Sequence, residues 1–157
     1  MAIPSDDATY RATLDGMRNV DFLRSEKYAD QQQRANRKGA HEDILEFEKA
    51  FVARMASLGV PMFAHNMVRT VAEQNALFVK GVSKAKGKQG PHTHGCAVDI
   101  VHSLLAWNLP DKGWKLIGHI GLEVAKTRGI DVTWGGSWTF YDPAHWELTN
   151  WREIAGV

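Results

Sequence analysis

The sequence predicts an α+β domain on three observations. Two segments carry apolar residues at helical spacing, several short strand-like runs lie between and after them, and 44% of the 157 residues are hydrophobic against 24% charged. That balance belongs to a globular chain rather than a disordered one. A chain of this length fits one domain and buries roughly two-thirds of its unfolded surface.

Taken in order, residues 1–40 are polar, with a Gln31-Gln32-Gln33 run and scattered Arg and Lys. They read as one or two peripheral helices, an extension on a core formed by residues 41–157. From Glu42 the pattern sharpens. Ile44, Phe47, Phe51, Met55 and Leu58 recur three and four residues apart on one helical face, with Glu42 and Asp43 at the positive end and Gly59 as the stop. Residues 60–65 read as a short strand. Thr70-Val71-Ala72-Glu73 has capping-box spacing, so a helix starts there and ends at Gly81. A basic loop over 81–90 carries Lys84, Lys86 and Lys88, a solvated loop or a flap that contacts substrate. Residues 97–101 read as a buried strand. Trp114, Ile117, Gly121 and Ala125 share a helical face closed by Gly129, and Ile130, Val132 and Trp134 alternate as a strand. Gly135-Gly136 reads as a turn, and residues 145–148 as the last strand. Helices before and between a few short strands make the α+β class.

Several classes are disfavoured. The formal net charge of +1 gives no field for nucleic acid or an anionic membrane. A single cysteine, Cys96, excludes an intrachain disulfide framework. No apolar stretch approaches the roughly 20 residues that span a bilayer. The acidic start, Met1-Ala2-Ile3-Pro4-Ser5-Asp6-Asp7, lacks the basic and apolar regions of a signal peptide, so synthesis in the cytoplasm is expected. Six tryptophans are many for this length; they suit a core of large rings or, less often, an aromatic groove.

Two clusters carry chemistry. Pro91-His92-Thr93-His94-Gly95-Cys96-Ala97-Val98-Asp99 offers two histidines and a carboxylate around a glycine turn, and Asp142-Pro143-Ala144-His145-Trp146-Glu147 offers a histidine with a carboxylate three residues before it. A hydrolytic zinc site needs three such protein ligands converging on one point, with a position left open for water.

His92-x-x-Gly95-x-Ala97-x-Asp99 followed by Asp142-x-x-His145 resembles the zinc D-Ala-D-Ala carboxypeptidase family, which includes D,D-dipeptidases and the L-alanyl-D-glutamate endopeptidases of phage endolysins. The Arg69 to Leu77 segment is similar to the family's Arg-containing stretch. So is Trp134-Gly-Gly-Ser-Trp138 leading into His145-Trp-Glu-Leu148. The resemblance runs from about residue 45 to the C-terminus. It implies a small, mainly antiparallel sheet flanked by helices, of the hedgehog/DD-peptidase kind, and a single zinc peptidase domain over 1–157. It makes His92, Asp99 and His145 ligands of one Zn2+ per chain, Asp142 the general base, Arg69 a catalytic and substrate-facing residue, and Gln74 a substrate-binding residue beside it. The metal would lower the pKa of water toward about 7, a carboxylate would relay its proton, and a guanidinium would steady the oxyanion. The partner implied is bacterial peptidoglycan, reached by an endolysin-like enzyme once the membrane is breached, with no nucleic acid, no membrane insertion and a monomer expected.

The chain departs from the family at Gly90, where serine is usual, and at Ser137, where an acid often follows the Gly-Gly turn. Asp142 stands where many relatives have glutamate, as the endopeptidase branch also does. Alternatives stay open at single residues. His94 competes with His92, but only His92 has the family spacing to Gly95 and Asp99. Glu147 alternates with His145 and so shares its side of the strand, where it could orient a ligand or serve as base. His102 reads as second to the site or as a solvated or core-edge residue, Cys96 as buried and inert, and His41, His65 and His119 as structural. Two other functions compete with the endopeptidase: a D-Ala-D-Ala carboxypeptidase or dipeptidase, and a zinc module without turnover.

Overall fold

The computed structural model describes residues 7–83, 85–87 and 90–157. The start of the acidic N-terminal segment, residues 1–6, and Lys84 and Lys88 of the basic loop lie outside the described residues. Helix α1 (Asp7–Asp15) is followed by two short helices, α2 (Val20–Leu23) and α3 (Glu26–Gln31). Among the described residues the extension thus holds three helices rather than one or two. Asn19 and Ser25 split it, their side chains accepting from the backbone N–H of Phe22 and Tyr28.

The core begins with α4 (Glu42–Ser57), which buries Ile44, Phe47, Phe51 and Met55 as the spacing predicts, and Val52 besides, while Leu58 is partly buried. Strand β1 (Met62–Asn66) leads to α5 (Val71–Val79), where the Thr70/Glu73 capping box is formed. Strand β2 (Ala97–His102), helix α6 (Asp111–Arg128), strands β3 (Val132–Trp134) and β4 (His145–Leu148), and α7 (Trp151–Ala155) complete the chain. The four strands form one antiparallel sheet in the order β1-β2-β4-β3, so the α+β expectation holds. Among the described residues no helix is long and apolar enough to cross a membrane.

The alternation of the two central strands divides the sheet into a packed face and a chemical face. Trp146 and Leu148 of β4, with Val98 and Ile100 of β2, belong to the hydrophobic core under α4 and α6. Asp99 and His145, each one residue out of phase, are cross-strand partners on the opposite face. Trp146 is wedged between Phe47 and Phe51, with ring centroids 5.1 and 5.2 Å away, and stacks on Trp134 at 5.8 Å. Helix α6 accepts these indoles through glycines: a Cβ at Gly118 would lie 2.4 Å from the Trp134 ring, and one at Gly121 2.4 Å from Trp146. Truncating a buried ring of this kind typically costs about 3–5 kcal/mol.

The N-terminal extension is fastened to the open edge of β1 and to Ser103 just after β2. Gln31 Nε2 donates to the Ser103 carbonyl at 2.9 Å, Gln32 Nε2 to that of Met62 at 3.1 Å, and Arg34 Nε to that of His65 at 3.2 Å. An uncovered strand edge is a template for association, and this polar run blocks it. Arg37 reaches the carboxylate of Glu48, a buried residue of α4.

Candidate metal centre

Three strand-borne or strand-adjacent segments converge on the chemical face. Pro91–His94 is a 3₁₀ turn ended by Gly95 at φ 70°, and a Cβ there would fall 2.2 Å from the Gly39 carbonyl oxygen. Only glycine meets both demands, which is why a glycine stands between His92 and β2. His41 caps α4 through Nδ1 and donates its backbone N–H to the Gly95 carbonyl at 2.8 Å, which seats the turn.

His92, Asp99 and His145 come together with one ligand atom from each within 4.8 Å of the others, all three residues buried. Each histidine has one ring nitrogen held by an acceptor and the other turned to the cluster. His92 Nδ1 lies 2.8 Å from the Met67 carbonyl and donates to it, which leaves Nε2 as the nitrogen that faces the cluster. That Nε2 is buried without a hydrogen bond, 3.4 Å from Asp99 Oδ1. His145 is fixed from behind by Glu147, whose Oε1 accepts from Nε2 at 2.8 Å, while Nδ1 faces Asp99 Oδ1 at 3.2 Å. Supporting acceptors behind metal-ligating histidines are the usual way a site fixes tautomer and ring orientation. Trp138 packs on the His145 ring with centroids 5.2 Å apart.

The electrostatics follow from this packing. Burial works to raise the Asp99 pKa, but His92 and the hydrogen bond from His145 hold it well below the ordinary carboxylate range. Burial works to lower that of His145, and its hydrogen bonds to Asp99 and Glu147 prevail, raising it to about 9. Asp142 is raised, by burial first and then by the charge on Asp99.

Asp142 is placed by the Trp-Gly-Gly segment. Trp134 Nε1 donates to the Pro143 carbonyl at 2.7 Å, and the Asp142 backbone N–H donates to Gly135 at 3.1 Å. The two glycines are needed for closeness rather than for an unusual turn, since neither has positive φ. A Cβ on Gly135 would lie 2.3 Å from the Asp142 carbonyl, and one on Gly136 2.1 Å from the Trp134 ring. Among the described residues the Asp142 carboxylate has no hydrogen-bonding partner, whereas Glu147 is committed to His145.

Arg69 lies in the site, but its guanidinium is partly engaged. One terminal nitrogen donates to Asp99 Oδ2 at 3.0 Å and the other to Gln74 Oε1 at 3.2 Å. Gln74 is 1% exposed, and its amide nitrogen donates to Ser83 Oγ at 2.7 Å and the Ala85 carbonyl at 2.9 Å. Gln74 therefore braces Arg69 against the loop after α5.

The other histidines and Cys96 lie elsewhere. His94 stacks on Trp151 with centroids 5.9 Å apart, and Cys96 is a buried free thiol. His102, at the far end of β2, donates from Nε2 to the Met17 carbonyl at 2.7 Å and accepts at Nδ1 from the N–H groups of Leu104 and Leu105. His119 lies 3.8 Å from Glu123 one turn along α6. One contributor had escaped the sequence reading: the Met67 carbonyl, which has no residue-type signature. His65, read as structural, lies close enough to feel the charges of Asp99 and Arg69.

Fold and site together define an α+β protein with a buried His-Asp-His cluster able to hold a metal ion. Residues 83–148, the span that contains this cluster and Asp142, match the family model described as D-alanyl-D-alanine carboxypeptidase. The fold is similar to that in the crystal structure of Serratia marcescens L-Ala D-Glu endopeptidase ChiX, with a TM-score of 0.66 and 23% identity over 88% of this chain and 100% of that one. The resemblance is thus met for the motifs between His92 and Leu148, while the Arg69 to Leu77 stretch lies before the matched residues, and the expected fold is met over most of the chain.

Proposed function

We propose that this protein is a zinc-dependent peptidase of peptidoglycan that cuts the stem peptide between L-alanine and D-glutamate. The observation that carries the reading is the buried, hydrogen-bond-free Nε2 of His92 beside Asp99 and Nδ1 of His145, with each histidine's other nitrogen held by an acceptor. Two imidazoles and a carboxylate suit zinc and leave room for water. Zinc bound there would supply Lewis acidity and lower the pKa of water toward about 7.

The chain's own groups do the rest. Asp142, uncommitted and with its pKa raised, accepts the proton of the attacking water and returns it to the departing amine. Arg69, anchored on Asp99 and Gln74, donates to the carbonyl oxygen as negative charge develops on it. Gln74 acts through Arg69 as a positioning residue. Glu147, accepting from His145 Nε2, holds the ring with Nδ1 turned to the cluster.

The choice of bond rests on the likeness in fold to the Serratia endopeptidase. A D-Ala-D-Ala carboxypeptidase is the second reading, favoured by the description of the family that matches residues 83–148. Digestion of purified peptidoglycan by the zinc-loaded protein separates them. A new D-glutamate amino terminus is the expected product; free D-alanine without it would transfer the assignment to the carboxypeptidase. Intact peptidoglycan with zinc bound would leave a metal module without turnover. An endolysin-like setting, in which a monomer made in the cytoplasm meets the wall after the membrane is breached, completes the proposal.

A further inference from the structure

One group of residues beside the metal centre is unused by this mechanism. The ladder between β1 and β2 is irregular between Ala64 and Asn66, so His65 is the extra residue of a bulge, immediately before Asn66, the partner of Asp99. Bulges re-aim side chains next to sites. The His65 ring stands edge-on to Trp107 with centroids 4.8 Å apart, and Trp107 is 46% exposed. Arg34 of the N-terminal extension is tied to this bulge by the hydrogen bond from its Nε to the His65 carbonyl. Among the described residues Arg34 has no carboxylate partner, whereas Arg69 and Arg37 each have one.

His65 Nδ1 is buried without a partner. Burial lowers the pKa of the ring, Arg34 lowers it further, and Asp99 acts in the opposite sense, so the imidazole is neutral at pH 7. A buried lone pair is easier to leave unsatisfied than a buried N–H, which places the proton on Nε2. The bulge thus offers a neutral donor, an exposed guanidinium and an aromatic wall within one patch that shares the field of Asp99 and Arg69. Guanidinium forks and imidazole N–H groups match carboxylate oxygens.

We propose that Arg34 and His65, walled by Trp107, form a subsite for a carboxylate of the peptide substrate, so that the N-terminal extension helps select an acidic residue beside the cut. This rests on the peptidase reading and names the substrate feature that the site would recognise.

The test uses the zinc-loaded full chain carrying Asp142→Asn, which binds without cutting, and two synthetic stem peptides that differ only in a free carboxylate or a carboxamide on the acidic residue. By calorimetry the carboxylate peptide should bind about tenfold more tightly, a difference that Arg34→Gln should abolish and Arg34→Lys should partly restore. The His65 ring signals in a nuclear magnetic resonance spectrum should move with the carboxylate peptide and not with the carboxamide. Unchanged melting temperatures of the Arg34 variants would show that they fold. A preference that survives Arg34→Gln, a His65 signal that stays still, or no binding of either peptide would overturn the subsite. Failure of the unsubstituted protein to cut either peptide, with the preference intact, would overturn the peptidase reading and leave the subsite standing.

Discussion

At the scale of single residues, the site assigns different work to carboxylates that look alike in the sequence. Asp99 is bonded to Arg69 and His145 and lies 3.4 Å from His92 Nε2, Glu147 is spent on His145, and the Asp142 carboxylate has no hydrogen-bonding partner among the described residues. Asp142→Asn should therefore lower the rate of stem-peptide hydrolysis by at least about 100-fold while zinc stoichiometry, read by elemental analysis, stays at one. Glu147→Gln should act on the other quantity, weakening zinc by about 10–100-fold in a chelator competition. The two His/Asp segments were legible as clusters around a glycine turn and a strand, and the family resemblance singled out His92, Asp99 and His145 among them. The inward turn of the Gln74 amide to Ser83 and Ala85 was not legible, because a motif shows which residue is near and not where its side chain points. The Met67 carbonyl could not be read at all, since every residue carries one.

At the scale of elements, close backbone approach matters more than turn conformation. Gly135→Ala would drive a methyl group into the Asp142 carbonyl. A displacement near 1 Å can cost about 100-fold in rate, so this variant should lose activity while its far-ultraviolet circular dichroism is kept. His102 makes a different junction, joining the end of β2 to the loop after α1 through Met17. Burial holds its pKa below the ordinary 6.5, although the Met17 bond opposes this. The unfolded chain takes up a proton near 6.5 that the folded ring resists, so this contribution is complete above 6.5 and is lost as pH falls through the lower folded value. The melting temperature should decline on acidification below that pH, and less steeply in His102→Gln. Helix faces and the capping box were readable because they are local periodicities. The three-way split of the extension and the bulge at His65 were not, because caps at Asn19 and Ser25 and a one-residue irregularity leave little periodic trace.

At the scale of the molecule, the packed face and the chemical face are separate. The core of Phe47, Phe51, Trp134 and Trp146 contains none of the cluster residues. Chelation should abolish hydrolysis and lower the melting temperature, yet leave the circular dichroism spectrum folded, and added zinc should restore both; a spectrum that collapses on chelation would refute this division. The class was legible from the order of helical and alternating segments, whereas the clasp of the extension on β1 was hidden in side chains that look like ordinary surface glutamines. The pairing of Asp99 opposite His145 carries one more implication. Two of the three proposed ligands are set side by side by backbone hydrogen bonds before any ion arrives, and the entropy of gathering them is spent during folding. An ion entering this site meets an arrangement already made, so its binding free energy goes to affinity rather than to ordering the chain, unlike small domains that fold around their zinc. Exchange of one metal for another should then proceed as a local event, without the protein passing through an unfolded state.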